Sequence, residues 1–99
     1  MKTFEEIKNI LQTHKPFLAQ NYGIKEIGMF GSYVRNEQRP DSDLDILIEL
    51  ESPSRIGLMG LANLENYLSE LFDMKIDISI KKNLKRRIGE KILNEVVSV

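Results

Sequence analysis

The sequence predicts an α+β fold in which a small mixed β-sheet of about three strands packs with helices. Apolar residues recur at helical spacing in the longer segments, which argues for amphipathic helices. Between these segments lie short apolar runs, and two of them alternate with the period of two that is typical of strands. The resulting order is helix, strand, short helix, strand, helix, strand, helix. This order predicts a small sheet that is covered by helices.

The N-terminal segment is predicted to be a helix that Gly23 ends. Thr3 and Glu6 have the spacing of a capping box, in which each side chain accepts a hydrogen bond from the other residue's free backbone N–H. Pro16 lies inside the helical pattern and cannot donate a backbone hydrogen bond. We therefore expect a kink or a break near Lys15.

The strands follow from short apolar runs. They are predicted over residues 25–30, 43–50 and 75–80. Alternation in the second strand sends two sets of side chains to opposite faces. One face carries Leu44, Ile46 and Ile48, and the other carries Asp43, Asp45, Leu47 and Glu49.

Three later helices complete the order. They are predicted over residues 32–37, 57–72 and 83–97. The second of them carries an apolar stripe at helical spacing, formed by Leu58, Leu61, Leu64, Leu68 and Leu71. The last carries Leu84, Ile88, Ile92 and Val96 on one face.

Length and composition restrict the class of protein. The chain has 99 residues, 41% hydrophobic and 29% charged, and we expect one domain over residues 1–99. The net charge of -1 is not that of a basic nucleic-acid-binding domain, so nucleic acid is not expected as the main partner. Cysteine is absent and His14 is the only histidine, which excludes thiolate metal sites and disfavours a His-rich zinc site. With no long apolar run and no signal peptide, we expect a cytoplasmic protein without a membrane partner.

Three aspartates are the first candidates for chemistry. Asp43 and Asp45 are two residues apart on a predicted strand, so their side chains point to the same face. Asp77, in the middle of the third strand, joins them if the two strands pair. Their mutual repulsion raises their pKa values unless cations neutralise them, and Mg²⁺ prefers such oxygen ligands. The alternative is that the D-x-D pair is a solvated strand edge that limits aggregation.

Gly31 and Ser32 form a second candidate site. A strand followed by glycine and a helix start presents free backbone N–H groups, which suit a phosphate. The Ser32 hydroxyl can donate to the same anion, and Arg35 can reach it from one turn further on. Alternatively, Ser32 only caps a helix. Combined with the three aspartates, this turn provides the groups needed to bind a nucleoside triphosphate.

Residues 30–50, FGSYVRNEQRPDSDLDILIEL, resemble the nucleotidyltransferase motif of the DNA polymerase beta superfamily. That motif reads G-S, a variable residue, A-R-G, a short gap, then S-D-x-D and a hydrophobic strand. The sequence is most similar to the minimal nucleotidyltransferases (MNT), antitoxins that pair with HEPN proteins in prokaryotic toxin–antitoxin modules. The resemblance covers nearly the whole chain, including the strand of Asp77 and the terminal helix. It implies a polymerase-beta-like nucleotidyltransferase fold.

The resemblance also implies roles for individual residues. Asp43 and Asp45 would bind two Mg²⁺ ions, and Asp77 would be the third metal ligand and would help to activate the attacking hydroxyl. Two positions depart from the motif, Val34 for alanine and Asn36 for glycine. Asn36 tolerates a positive φ better than most residues, so the turn can survive, although phosphate binding could weaken. The implied phosphate-binding and turn-forming residues are Gly31, Ser32, Arg35 and Ser42.

The activity implied by the resemblance is transfer of AMP from ATP to a hydroxyl, expected to be a tyrosine, of a cognate HEPN RNase toxin, which neutralises the toxin. One alternative is a binding antitoxin with a vestigial site, which the intact aspartate set disfavours and Asn36 favours. A second is transfer to a small molecule such as an aminoglycoside, for which an additional acceptor domain is expected. The position of Tyr33, near the base or near the partner, is left open.

Overall fold

The computed structural model describes residues 2–99, which form one four-stranded sheet with helices. The helices are α1 (Phe4–Tyr22), α2 (Ser32–Arg35), α3 (Leu58–Phe72) and α4 (Arg86–Glu95), with a 3₁₀ turn at Lys81–Asn83. The strands are β1 (Ile24–Phe30), β2 (Leu44–Leu50), β3 (Ile76–Ile80) and β4 (Val97–Ser98). The predicted α+β class and element types are confirmed, with boundaries that differ by one to three residues.

The sheet is mixed and has the strand order β3-β2-β1-β4. β1 is antiparallel to both β2 and β4, whereas β2 and β3 are parallel. The prediction of about three strands was one strand too few. The missed strand β4 has only two residues, which pair with Gly28 and Met29, and two residues are too few to show a strand period.

Helix α1 begins and ends where the sequence predicts, but it is not broken. Glu6 N–H donates to the Thr3 hydroxyl, and Thr3 N–H donates to the Glu6 carboxylate, which completes the capping box. Gly23 ends the helix with a left-handed φ of 66°. The helix continues through Pro16, so the predicted break was wrong. Buried residues on both sides of the proline hold α1 in place: Ile7, Leu11 and Leu18.

The core lies between α1, α3 and one face of the sheet. The predicted inward face of β2 is confirmed, since Leu44, Ile46 and Ile48 are fully buried. In α3, Leu64 and Leu68 are buried as predicted, but Leu58 is 85% exposed, and Phe72 is buried at the other end of the helix. Tyr33 is 2% exposed and belongs to this core.

Helix α4 buries fewer apolar side chains than its sequence pattern predicts. Ile88 was predicted on its inward face but is 57% exposed, and Gly89 is the only buried residue of the helix. Between residues 2 and 99, no helix combines the length and the apolar character needed to cross a membrane.

Candidate active site

The structure brings Asp45 and Asp77 together. They are directly paired across the parallel strands β2 and β3, as the sequence analysis required. Asp43 lies just before β2, where its carboxylate is 4.0 Å from the Lys75 ammonium group. The strand pairing therefore places two of the predicted aspartates side by side and the third at the adjoining strand end.

Asp45 is the electrostatically strained member of this group. Its pKa is raised from 3.8 to about 6, mainly by partial burial, then by the neighbouring charges of Asp77 and Asp43. A hydrogen bond with Asp77 also favours the protonated form, while the charge of Arg35 opposes the shift. A cation at this position would relieve the cost of ionising Asp45.

The donor set fits a hard cation that is bound together with a substrate. Within residues 2–99, no three metal-binding side chains converge closely enough to form a ready-made site. Asp45 and Asp77 nevertheless offer paired oxygen ligands, which suit Mg²⁺. Since Mg²⁺ commonly uses one or two carboxylates plus substrate phosphates, a protein cage of three ligands is not required.

Gly31 brings the backbone directly onto the acidic pair. Its φ of 81° and ψ of -155° lie in a region that is essentially restricted to glycine. A Cβ atom at this position would overlap the Asp45 carboxylate, with its carbon Cγ only 2.9 Å away. The Gly-Ser turn and the aspartates are therefore parts of one site.

The turn after Gly31 keeps the geometry expected from the motif. Gly31 is itself the N-cap of α2 and no side chain caps the helix, so the interpretation of Ser32 as a capping residue was wrong. Asn36 adopts a left-handed conformation with φ 59°, in place of the glycine of the motif. The Ser42 hydroxyl accepts a hydrogen bond from Arg39 N–H at 2.8 Å and so closes the loop before Asp43.

Glu95, at the end of α4, contacts the candidate site and was missed in the sequence. One of its carboxylate oxygens accepts from Gly31 N–H at 2.5 Å, and the other accepts from the Arg35 guanidinium at 2.7 Å. The Arg35 hydrogen bond is the main cause of the lowered pKa of Glu95. Arg35 also donates to Glu37 at 2.6 Å. Two of the predicted anion-binding groups are thus already in contact with an internal carboxylate.

One sequence signal could have located the segment that carries Glu95. Gly28 lies in the interior of β1, where glycine often marks a close approach of another backbone. A Cβ there would lie 2.7 Å from a Val96 methyl group and 3.1 Å from the Val97 carbonyl oxygen. The C-terminal segment therefore approaches β1 closely at Gly28, where it pairs with this strand.

Comparison with known proteins identifies the family. The family described as "Nucleotidyltransferase domain" matches residues 11–99, which is most of the chain. The chain belongs to the nucleotidyltransferase domain family. Within this family, it is 46% identical over 100 residues to "Protein adenylyltransferase MntA" of Thermococcus cleftensis. That alignment covers 100% of this chain and 98% of the relative.

Solved structures of nucleotidyltransferases share the fold. A candidate minimal nucleotidyltransferase superimposes with a TM-score of 0.83 at 28% identity, over 99% of this chain and 97% of the other. A toxin–antitoxin structure with AMP-PNP superimposes with a TM-score of 0.73 at 18% identity, over 88% of this chain and 69% of the other. A complex of a tri-AMPylated Shewanella oneidensis HEPN toxin with MNT antitoxin gives a TM-score of 0.69 at 15% identity, over 97% of this chain and 71% of the other. The last two show the fold alone, and the resemblance to minimal nucleotidyltransferases is confirmed.

Proposed function

We propose that this chain transfers an adenylyl group from ATP to a tyrosine hydroxyl of a cognate HEPN RNase toxin and thereby neutralises the toxin. The observation that carries the proposal is the Asp45–Asp77 pair with Gly31 packed against it. The name of the Thermococcus relative supports protein adenylylation, since the alignment spans the full length of this chain. The complexes with AMP-PNP and with an AMPylated HEPN toxin support ATP as donor and a HEPN protein as acceptor.

In this proposal the three aspartates bind the cation, and one of them also accepts a proton. Asp43, Asp45 and Asp77 would hold Mg²⁺, which when bound neutralises negative charge and makes the α-phosphorus a better electrophile. Asp77 is exposed and so accessible to an incoming acceptor, whereas Asp45 is partly buried beneath Gly31. Asp77 accepts the proton of the tyrosine hydroxyl while the tyrosine oxygen forms a bond to the α-phosphorus. The bond from the α-phosphorus to the bridging oxygen breaks, and pyrophosphate leaves.

The Gly-Ser turn positions the leaving group. The Gly31 N–H, the Ser32 hydroxyl and the Arg35 guanidinium would donate hydrogen bonds to the terminal phosphates. Because Gly31 is packed on Asp45, phosphates held by this turn lie beside the acidic pair. Catalysis would then consist largely of positioning and electrostatic stabilisation.

The test is intact-mass spectrometry of the protein encoded by the neighbouring gene, as the proposed HEPN partner, after incubation with the chain, ATP and Mg²⁺. We expect a gain of one or more adenylyl groups with the wild type. Asp45→Asn should reduce the rate at least about a hundredfold, because the central ligand loses its charge. Asp41→Asn is the matched control, since Asp41 is an exposed loop aspartate, and it should leave the rate unchanged. An undiminished rate with Asp45→Asn would contradict the assigned site.

A binding antitoxin with an idle site is the second candidate. The Glu95 carboxylate on Gly31 and Arg35 favours it, because an internal anion already fills the phosphate donors. In that case the Asp45→Asn variant should neutralise the RNase activity of the toxin as fully as the wild type does. Tight complex formation without any mass gain would also support this candidate over the transferase.

A further inference from the structure

We propose that Glu95 is an internal competitor of the nucleotide: its carboxylate occupies the donors of Gly31 and Arg35 until the triphosphate displaces it. This inference rests on the proposed function, because it takes these donors to be the phosphate-binding groups. It adds a regulatory contact between the C-terminal helix α4 and the Gly-Ser turn.

The contacts of Glu95 are those expected of a bound phosphate. One oxygen accepts from the Gly31 backbone N–H, and the second accepts from the Arg35 guanidinium, at 2.5 and 2.7 Å. Charge-assisted hydrogen bonds of this kind are the strong ones in proteins. A triphosphate cannot use the same donors while the carboxylate is present, and the two anions would also repel each other. Binding of the nucleotide therefore requires Glu95 to move away.

Helix α4 is held in a way that permits this movement. Gly89 is its only buried residue, and the large apolar side chains of Ile88 and Leu93 are substantially exposed. A cleft of about 190 Å³ lies between the sheet and α4, lined in part by Leu47, Leu93 and Val96. A segment with few buried apolar contacts opens at low free-energy cost. The pairing of β4 with β1 is short: it involves two residues, with one further hydrogen bond from Val99 N–H to the Ile27 carbonyl oxygen.

The consequence is a reduced apparent affinity for the nucleotide. When only a fraction of the protein has its donors free, the apparent Kd rises by the inverse of that fraction. Glu95→Gln preserves the size of the side chain but removes its charge. Its amide nitrogen is a donor and cannot accept a hydrogen bond from Arg35, so the contact weakens. We expect this variant to leave the Gly31 N–H and the Arg35 guanidinium free to bind the nucleotide.

The test is calorimetric titration of the full chain with AMP-PNP and Mg²⁺. Glu95→Gln should bind about tenfold more tightly than the wild type, the effect of losing one charge-assisted contact. Glu90→Gln is the matched control, because Glu90 lies on the same helix, is exposed and contacts only Arg86 among the ion pairs of residues 2–99. This control removes the same charge and should leave Kd unchanged. An unchanged or weaker affinity of Glu95→Gln would overturn the competition.

Hydrogen exchange of the wild type provides a test that does not depend on a variant folding. Nucleotide binding should accelerate exchange in residues 84–99, since Glu95 is released, and slower or unchanged exchange would overturn the inference.

The two proposals can fail separately. If the toxin is adenylylated and AMP-PNP binds equally to wild type and Glu95→Gln, only the competition fails. If AMP-PNP binds to neither protein, both proposals fail.

Discussion

Asp45 and Asp77 occupy opposed positions on the parallel strands β2 and β3, although like charges in this arrangement destabilise a sheet. Burial of Asp45 increases the cost, as the raised pKa of about 6 shows. At neutral pH and without a bound cation, the pair therefore destabilises the fold. Its placement beside Gly31 is the arrangement that the proposed cation and phosphate site requires.

This strain predicts how stability depends on pH without metal. The folded state raises the Asp45 pKa from 3.8 to about 6, so it holds the proton more tightly than the unfolded chain does. The stabilisation that the proton on Asp45 gives to the folded state is fully present below about pH 4 and is lost as the pH rises through about 6. Because Asp45 is only partly buried, solvent screening reduces the effect. Asp45→Asn should therefore raise the free energy of unfolding by about 1 kcal/mol at pH 7.5 and have little effect at pH 4. Urea denaturation with a chelator at both pH values checks this, and an equal effect at both would contradict it.

The contact of Gly31 with Asp45 predicts that no side chain is tolerated at position 31. Gly31→Ala forces a glycine-only conformation and places its Cβ on the Asp45 carboxylate. We expect a loss of about 1–3 kcal/mol in stability and a loss of adenylyl transfer. Gly57→Ala is the control, because nothing lies within 4 Å of a Cβ there. Thermal unfolding and the mass assay on both variants check the prediction, which equal behaviour of the two would refute.

Arg35 is expected to contribute to triphosphate affinity. Arg35→Ala removes a cationic donor of the turn. In the Glu95→Gln background, where the competing carboxylate is already gone, it should weaken AMP-PNP binding about tenfold. Arg39→Ala is the control, because Arg39 is an exposed arginine of the following loop. Calorimetry with Mg²⁺ measures both affinities. If Arg35→Ala/Glu95→Gln and Glu95→Gln bound equally well, Arg35 would have a structural role only.

Pro16 is expected to be a destabilising residue in an otherwise regular helix. It lies exposed within α1 and lacks the N–H that the helix would use. Pro16→Ala should therefore stabilise the protein by about 1–3 kcal/mol, whereas Gln20→Ala on the same helix should stay within about 0.5 kcal/mol. Urea denaturation measures both. A Pro16→Ala variant less stable than the wild type would show that the backbone around the proline is adapted to it.

Local patterns predicted much of the fold and the juxtaposition of Asp45 and Asp77 in the candidate site. The alternation in residues 43–50 assigns the faces of β2 correctly, because side-chain direction in a strand depends only on neighbouring positions. The capping box of α1 is equally local. The extent of the buried face of α3, with Leu58 outside it and Phe72 inside, depends instead on where the helix meets the sheet.

Glu95 could not be predicted in the same way. It contacts Gly31 across 64 residues of sequence, and no spacing rule links two such distant positions. Its placement depends on β4, which is too short to show a period, and on Gly28, whose missing side chain lets the C-terminal segment approach β1. The part of the site that depends on long-range packing was therefore visible only in the structure.

Label transfer to the proposed HEPN partner, from ATP labelled at the α- or the γ-phosphate, separates adenylylation from phosphorylation and from binding alone. We expect that α-label becomes covalently attached to the partner, that γ-label does not, and that Asp45→Asn abolishes the attachment. Attachment of γ-label would indicate phosphorylation instead. Absence of both labels, in a complex that forms and neutralises the toxin, would contradict the proposed transferase activity.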